Sequence, residues 1–364
     1  MPSTYALILA GGAGTRFWPA SRSRRPKQLL PLVSADPLLL ETAHRVLPLC
    51  EGWDHILIGS GRHLAAPTAA LLSELPAKNL LVEPVPRNTA PCIAWAAALV
   101  ARIDPEAVVM VLPSDHHIVD VPKFREALRL AVATAATGVI TTIGIRPTHP
   151  ETGYGYIEIA EGGAEHAPGA LAVKRFVEKP DRARAEAFLA GGRHLWNAGM
   201  FFFRAGDMMR ALHAHLPALA EGVEALAAAA GSEGEKEALE RIFPALQSVS
   251  IDVGVMERME KLAVIPGDFG WSDLGSWHSA WELAGKDGEG NAAPGGTVFV
   301  DARNNQVVDL RTGGTGKRVI ALVGVEDLVV VETDDALLVV PRGRAQEVKD
   351  VVERLRGRGD GELT

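Results

Sequence analysis

Tyr5-Ala6-Leu7-Ile8-Leu9-Ala10-Gly11-Gly12-Ala13-Gly14-Thr15-Arg16 decides the fold of this chain. Five apolar residues in a row with no polar face describe a strand buried on both sides, and the glycines that stop it mark a tight strand-to-helix loop. Outward from it the same punctuation returns. Short apolar runs at 56–58, 80–82, 108–112 and 139–143 alternate with helix-like segments near 38–49, 61–74, 89–102 and 122–136. Parallel strands need crossovers of this length, so residues 1 to about 145 are expected to form an open, Rossmann-like α/β sheet. Ligands of such sheets sit beyond the carboxyl ends of the strands, which puts the chemistry in the strand-to-helix loops.

From 146 the rhythm changes. Gly-punctuated strands are expected at 154–159 and 172–178, followed by an alanine-rich helical stretch to about 262 that reads as an insertion completing the pocket. After Gly285 comes a glycine-rich loop, then short strands around Val298, Val307, Val319, Val329 and Leu338, and a charged amphipathic helix over 345–356. The expected division is a larger domain over 1–285, with halves at about 1–145 and 146–285, and a small β-rich module over 286–364. No clean internal repeat stands out.

Composition excludes several classes. With 364 residues, 47% hydrophobic and 23% charged, the chain can build a large core. Lys plus Arg 37 against Asp plus Glu 45 gives a net charge of −8, which disfavours nucleic acid as a partner but allows a local cationic pocket for a phosphorylated small molecule. Cys50 and Cys92 form no CxxC and have no His pair beside them, so neither zinc nor a disulfide framework is expected, and a cytoplasmic setting fits. The longest uncharged apolar run, 90–101, is shorter than the roughly 18 residues of a membrane span. No positive charge precedes the first apolar stretch, as a secretory leader would require.

The loop itself is small and cationic. Gly11, Gly12 and Gly14 let backbone N–H groups approach a phosphate chain. A Walker loop fails because no Lys-Ser or Lys-Thr follows. The dinucleotide fingerprint keeps two glycines, but Phe17 occupies the third position and Pro19 interrupts the helix; an oxidoreductase remains an alternative. Arg16, Arg22, Arg24, Arg25 and Lys27 follow. A forked guanidinium at Arg16 suits phosphate oxygens, and a compact ammonium at Lys27 suits charge moving onto a leaving pyrophosphate. A solvated basic turn is the plain alternative.

Taken whole, Gly11-Gly12-Ala13-Gly14-Thr15-Arg16-Phe17-Trp18-Pro19 through Arg25-Pro26-Lys27-Gln28-Leu29-Leu30 resembles the signature loop of the sugar-nucleotide pyrophosphorylases, in particular the mannose-1-phosphate guanylyltransferases. Four further blocks carry the same resemblance in order: Leu112-Pro113-Ser114-Asp115, Phe176-Val177-Glu178-Lys179-Pro180, Trp196-Asn197-Ala198-Gly199-Met200-Phe201 and Trp271-Ser272-Asp273-Leu274-Gly275. It implies a glycosyltransferase-A-like mixed sheet and transfer between GTP and α-D-mannose 1-phosphate, giving GDP-mannose and pyrophosphate. Catalysis would fall to Arg16, Lys27, Asp115 and Asp273, with Asp115 and Asp273 holding Mg²⁺ or another divalent cation. Leu9, Gly11, Gly12, Gly14, Thr15, Glu83, Asn88 and Thr89 would contact the nucleotide, and Gly155, Glu178, Lys179 and Asn197 the sugar phosphate.

Plainer readings stand beside these. Asp115 and Asp273 could be N-caps, Asn88 or Thr89 a helix cap, Asn197 a turn residue, and Lys179 a surface lysine paired with Glu178. The glycines around Tyr154 serve a β-bulge as well as a sugar. The resemblance also implies a small β-helical module supporting a homodimer. No histidine cluster of an appended isomerase follows 286, so isomerase activity is not expected. UTP or dTTP with glucose 1-phosphate, and a non-catalytic sugar-nucleotide sensor, remain alternatives.

Overall fold

The structure, a computed structural model, describes residues 2–12, 14–312 and 319–364. Ala13 of the glycine loop lies outside the described residues. Packing divides the chain into two compact units: the residues before Gly12 with Thr42–Ser114 and Ile118–Trp271, and Gly12–Glu41 with Asp115–His117 and Ser272–Thr364.

The first unit is built on one mixed sheet. Strands β1 (Thr4–Leu9), β2 (Ile56–Gly61), β3 (Leu80–Glu83) and β4 (Val108–Pro113) pair in parallel, as their unbroken apolar runs imply. The expected crossovers are present as α1 (Leu38–Val46), α2 (Ala65–Leu71), α3 (Thr89–Ile103) and α4 (Val121–Ala135). The sheet's remaining strands are β6 (Ile140–Ile145), β7 (Tyr156–Ile159), β8 (Glu165–Ala167), β9 (Ala170–Val177), β10 (His194–Arg204) and β11 (Leu262–Gly267), while the two-residue strands β5 (His117–Ile118) and β12 (Trp271–Ser272) pair with each other outside it. The sheet runs β3-β2-β1-β4-β10-β6-β11-β9-β7, with β8 beside β9.

This order adds a strand that the sequence pattern did not predict. Residues 146–262, read as an insertion that completes the pocket, also supply β10, which lies between β4 and β6 in the middle of the sheet. Strand β10 runs antiparallel to both β4 and β6, and its register against β6 shifts between Asn197 and Phe201, where Gly199 takes φ 66. That bulge interrupts the alternation by which a strand is recognised.

Helix α3 explains why the unit is stable. Apart from its ends it is buried on nearly all sides, including Ala90, Cys92, Ile93, Trp95, Ala97 and Val100, so it reads as apolar all round. Its alanines keep neighbouring backbones close, and α6 (Ala205–His215) and α7 (Pro217–Ala229) join it in one core. Trp95 is 6% exposed and meets Phe243 edge to face at 5.8 Å, a core role. Helices α5 (Arg182–Gly191), α8 (Glu235–Ile242) and the single turn α9 (Ile251–Gly254) complete the unit. No helix among the described residues is long and apolar enough to cross a membrane.

The second unit has its own core, in which Phe17, Trp18, Leu30 and Leu38 share a cluster with Leu274, Trp277, Val329, Val331, Val348 and Val352. Helices α10 (Trp277–Leu283) and α11 (Val348–Arg358) flank strands β13 (Val298–Val300), β14 (Gln306–Asp309), β15 (Ala321–Val323), β16 (Leu328–Glu332) and β17 (Leu337–Pro341). Here the structure shows a periodicity that the sequence pattern conceals. Val298 lies opposite Ala321, Arg303 opposite Glu326 and Gln306 opposite Val329, all in parallel and each offset by 23 residues. Among the described residues the later strands therefore stack in parallel on the earlier ones, in the manner of a β-solenoid. Buried Asn291 and Asn305 hold the corner: Asn291 Oδ1 accepts from Asn305 N at 3.0 Å, and Asn305 Oδ1 accepts from Leu328 N at 2.9 Å.

Candidate functional site

In the second unit, the glycine loop folds around one lysine. Gly14 takes φ 58, in the left-handed region, and a Cβ there would stand 2.5 Å from Lys27 Cβ and 2.9 Å from Ser21 Oγ. Only glycine lets this close approach happen. Gly11 and Gly12 differ: among the described residues beyond their chain neighbours, nothing lies within 4 Å of an added Cβ at either. The 3-10 turn Thr15–Phe17 follows, and a second, Lys27–Leu29, starts after Pro26. Gln28 Nε2 donates to Gly12 O at 3.2 Å, tying the two ends of the loop together.

Lys27 is 5% exposed. Its ammonium donates to Asp115 Oδ2 at 3.0 Å and to Asp273 O at 2.5 Å, so residues separated by 88 and 246 positions in sequence converge on one nitrogen. Burial pushes the Asp115 carboxyl upward, but the Lys27 charge and hydrogen bond outweigh it and hold the group below the ordinary range. Asp273 is placed by an unusual turn. Buried Leu274 takes φ 46, a conformation that costs an L-residue roughly 1–2 kcal/mol, and a Cβ on Gly275 would stand 2.9 Å from Asp273 Oδ2. Thr15, Arg16, Lys27, Asp115, His116 and Asp273 line one cleft of about 390 Å³. Among the other loop cations, Arg22 is engaged elsewhere, with Asp335 at 2.6 Å and Pro19 O at 2.9 Å.

A second cluster forms in the first unit, around the β10 bulge. Asn197 Nδ2 donates to Asp252 Oδ1 at 3.0 Å, while Asn197 Oδ1 accepts from Gly199 N at 3.1 Å and Thr142 Oγ1 at 3.3 Å. The Asn197 oxygen therefore accepts two hydrogen bonds, and one amide N–H remains. Gly155 is demanded by its neighbours, because a Cβ would fall 2.6 Å from Glu178 Oε2 and 3.3 Å from Asn197 Cβ. Glu178 accepts an ion pair from Lys179 Nζ at 2.9 Å, and its own N–H donates to Glu257 Oε1 at 2.9 Å. The plain alternative for Lys179, pairing with Glu178, is thus observed; its side chain is also 63% exposed and takes φ 43.

Sequence reading missed Asp252 altogether. Burial first, and the Glu178 charge second, push its carboxyl up to about 6. The only local signal is Ser250, which caps the short α9 by accepting from Val253 N at 3.3 Å and so fixes Asp252 on the first turn.

The presumed base-contacting segment also belongs to the first unit. Asn88 stands at the N-cap of α3 with φ 65, its Oδ1 accepting from Thr89 N at 2.9 Å, and Thr89 Oγ1 accepts from Ile251 N at 2.9 Å. Both therefore have structural roles. Burial raises Glu83, and the Cys92 thiol that donates to it counters only part of that rise. Cys92 itself is pushed well up by burial and by Glu83, and Cys50 to about 12 by burial and Glu51, so neither is a ready nucleophile. Leu9 ends β1, opposite Gly59 and Pro113.

Two sequence-family models match this chain, "Nucleotidyl transferase" over residues 5–290 and "MannoseP isomerase/GMP-like beta-helix domain" over 295–355. The chain is 42% identical over 367 residues to the xanthan biosynthesis protein XanB of Xanthomonas campestris pv. campestris (strain B100), covering 100% of this chain and 76% of that one. It is 39% identical to the mannose-1-phosphate guanylyltransferase of Escherichia coli (strain K12), covering 98% and 74%. A crystal structure described as mannose-1-phosphate geranyltransferase from Thermus thermophilus superposes with a TM-score of 0.85 at 35% identity, covering 97% of this chain and 99% of that one. A glycine loop closing on a buried lysine, a mixed sheet with a bulged central strand and a match spanning most of the residues lead to one assignment: the chain belongs to the nucleotidyl transferase family.

Proposed function

We propose that the chain transfers the guanylyl group of GTP to α-D-mannose 1-phosphate, giving GDP-mannose and pyrophosphate. The observation that carries this is the seat of Lys27. An ammonium has three N–H donors, and Asp115 Oδ2 and Asp273 O take two of them, leaving the third fixed in direction for a phosphate oxygen. Arg16, exposed on the same cleft, supplies a forked donor set for further oxygens. Backbone N–H groups of Gly11, Gly12, Gly14 and Thr15 complete the cradle in this reading.

A sugar phosphate is already a nucleophile at neutral pH, so the reaction asks for positioning and charge neutralisation rather than a serine, cysteine or general base. Attack on the α-phosphorus in line with the departing pyrophosphate meets those terms. Among the described residues no group of three or more His, Cys, Asp or Glu side chains could hold a metal. The two carboxylates on the cleft, Asp115 and Asp273, are nevertheless the number that Mg²⁺ takes from a protein when substrate phosphates supply other ligands, so the donor set fits a metal arriving with the nucleotide. Bound there, Mg²⁺ would offset charge on the phosphoryl oxygens.

For the sugar, the free N–H of Asn197 offers a donor, and Glu178 and Asp252 offer acceptors, a set that matches vicinal hydroxyls. Lys179 is the cation for the sugar's phosphate. Glu83, a carboxylate at the end of β3, is the acceptor for the guanine N–H edge in this reading. A homodimer is part of the same proposal; outward-facing Val298, Val300 and Val323, 45%, 47% and 63% exposed, give the solenoid an apolar face for it. Light scattering that finds only monomer would remove that element.

Pyrophosphate release measured over a grid of GTP, UTP, dTTP and ATP against mannose 1-phosphate and glucose 1-phosphate tests the activity. Highest kcat/KM for the GTP and mannose 1-phosphate pair is expected. A preference for UTP or dTTP with glucose 1-phosphate would replace it, and silence across the grid would favour a sensor.

A further inference from the structure

The cleft that holds Lys27 has one lining residue that no motif singled out. Lys349, on the first turn of α11, lines it together with Arg16, Lys27, Asp115 and Asp273. We infer that Lys349 is a third cation of the nucleotide site, binding the outer phosphates of the triphosphate, so that the C-terminal helix belongs to the substrate-binding machinery. This rests on reading the cleft as the triphosphate site.

Charge is the first argument. Leaving His116 aside, Arg16 and Lys27 are balanced by Asp115 and Asp273, and Lys27 is already committed to Asp115 at 3.0 Å. Those four side chains sum to zero, although a nucleoside triphosphate brings about four negative charges. Lys349 makes the lining net positive. Among the described residues no ion pair engages it, and it is exposed.

Placement is the second argument. Val348 and Val352 are 1% and 2% exposed, in the same cluster as Phe17 and Trp18 of the loop, so the first turn of α11 is fixed against the turn that carries Arg16. The tail beyond the helix is tied down as well. Trp18 Nε1 donates to Leu363 O at 2.7 Å, and the Arg22 guanidinium bridges Asp335 at 2.6 Å and Glu362 O at 3.5 Å. The peptide carbonyl of Trp18 in turn accepts from Trp277 Nε1 at 3.0 Å. The two buried valines fix the backbone that carries Lys349, so its side chain starts from a set point on the cleft. Its length and single point charge suit phosphates whose position changes as pyrophosphate departs.

The test uses the full chain and the variants Lys349→Ala, Lys349→Gln and Lys349→Arg. Calorimetric titration with GTP and initial-rate kinetics with each substrate varied give the readouts, and thermal melts check the fold. Loss of one charged contact to a phosphate should weaken GTP binding and raise KM for GTP roughly fivefold to tenfold in the Ala and Gln variants. KM for mannose 1-phosphate should stay within twofold, arginine should restore most of the loss, and binding should lose part of its salt dependence. GTP binding unchanged in the Ala and Gln variants would overturn the inference while leaving the functional reading intact. An equal rise in both KM values accompanied by a lowered melting temperature would also overturn it, by showing a structural role. Wild-type protein that binds no nucleoside triphosphate would overturn the reading of the cleft, and this inference with it.

Discussion

Lys27 draws three stretches of the chain to one nitrogen, and in the proposed reaction that nitrogen carries the phosphate contact. Its neighbours, Asp115 and the Asp273 carbonyl, leave no rotational freedom to the ammonium, so Lys27→Ala should lower kcat by on the order of 10²–10³, as removal of one preorganised electrostatic donor does elsewhere. Lys27→Arg should not rescue it, because the planar guanidinium cannot occupy a seat sized for a point charge. Steady-state kinetics on both variants decide this: near-wild-type turnover in Lys27→Ala would remove the residue from its role, and in Lys27→Arg it would show that a cation of either shape suffices. Asp252 yields a pH prediction. Its carboxyl is raised to about 6 in the folded chain and returns to the ordinary value of about 3.9 on unfolding, so the folded state holds more protons between those values. Stability contributed through this group is therefore highest below about pH 4 and declines as pH rises towards 6. Relative to Asp252→Asn, the wild-type chain should lose up to roughly 2–3 kcal/mol across that window, as read by denaturant titration at several pH values. Parallel pH profiles of the two proteins would contradict it.

At the scale of elements, the glycine loop and the solenoid corner make separate claims. Gly14→Ala forces a side chain into a left-handed conformation and against Lys27 Cβ, so it should cost about 1–2 kcal/mol in stability and at least tenfold in turnover. Asn305→Ala removes a buried amide that bridges Asn291, Val325 and Leu328, and a loss of about 1–3 kcal/mol is expected from the groups left unsatisfied. Thermal or chemical denaturation measures both. What could be read from the residues follows the same division. Strands β1 to β4 and their helices were legible because each is an unbroken apolar run bounded by turn residues. Strand β10 was not, since the Asn197 to Phe201 bulge that makes it useful also destroys its alternation. The 23-residue offset of the solenoid was hidden because its stacked pairs, such as Gln306 with Val329, share a position rather than a residue type. Motif positions in the glycine loop were legible, but Asp252 and Lys349 were not: neither belongs to a spaced motif, and only packing brings them to their clusters.

Across the whole molecule, two clusters are each assembled by folding from residues far apart in sequence. Gly12–Glu41 packs with Asp115–His117 and Ser272–Thr364, so the cleft around Lys27 depends on the C-terminal module for its core as well as for Lys349. The cluster of Asn197, Glu178 and Asp252 depends on the bulge of a central strand. The most direct test follows label from GTP marked either at its α-phosphate or at its γ-phosphate, incubated with mannose 1-phosphate and the full chain. The α label is predicted to end in a sugar nucleotide and the γ label in pyrophosphate. Release of the γ label as inorganic phosphate, or of the α label as free GDP, would contradict it.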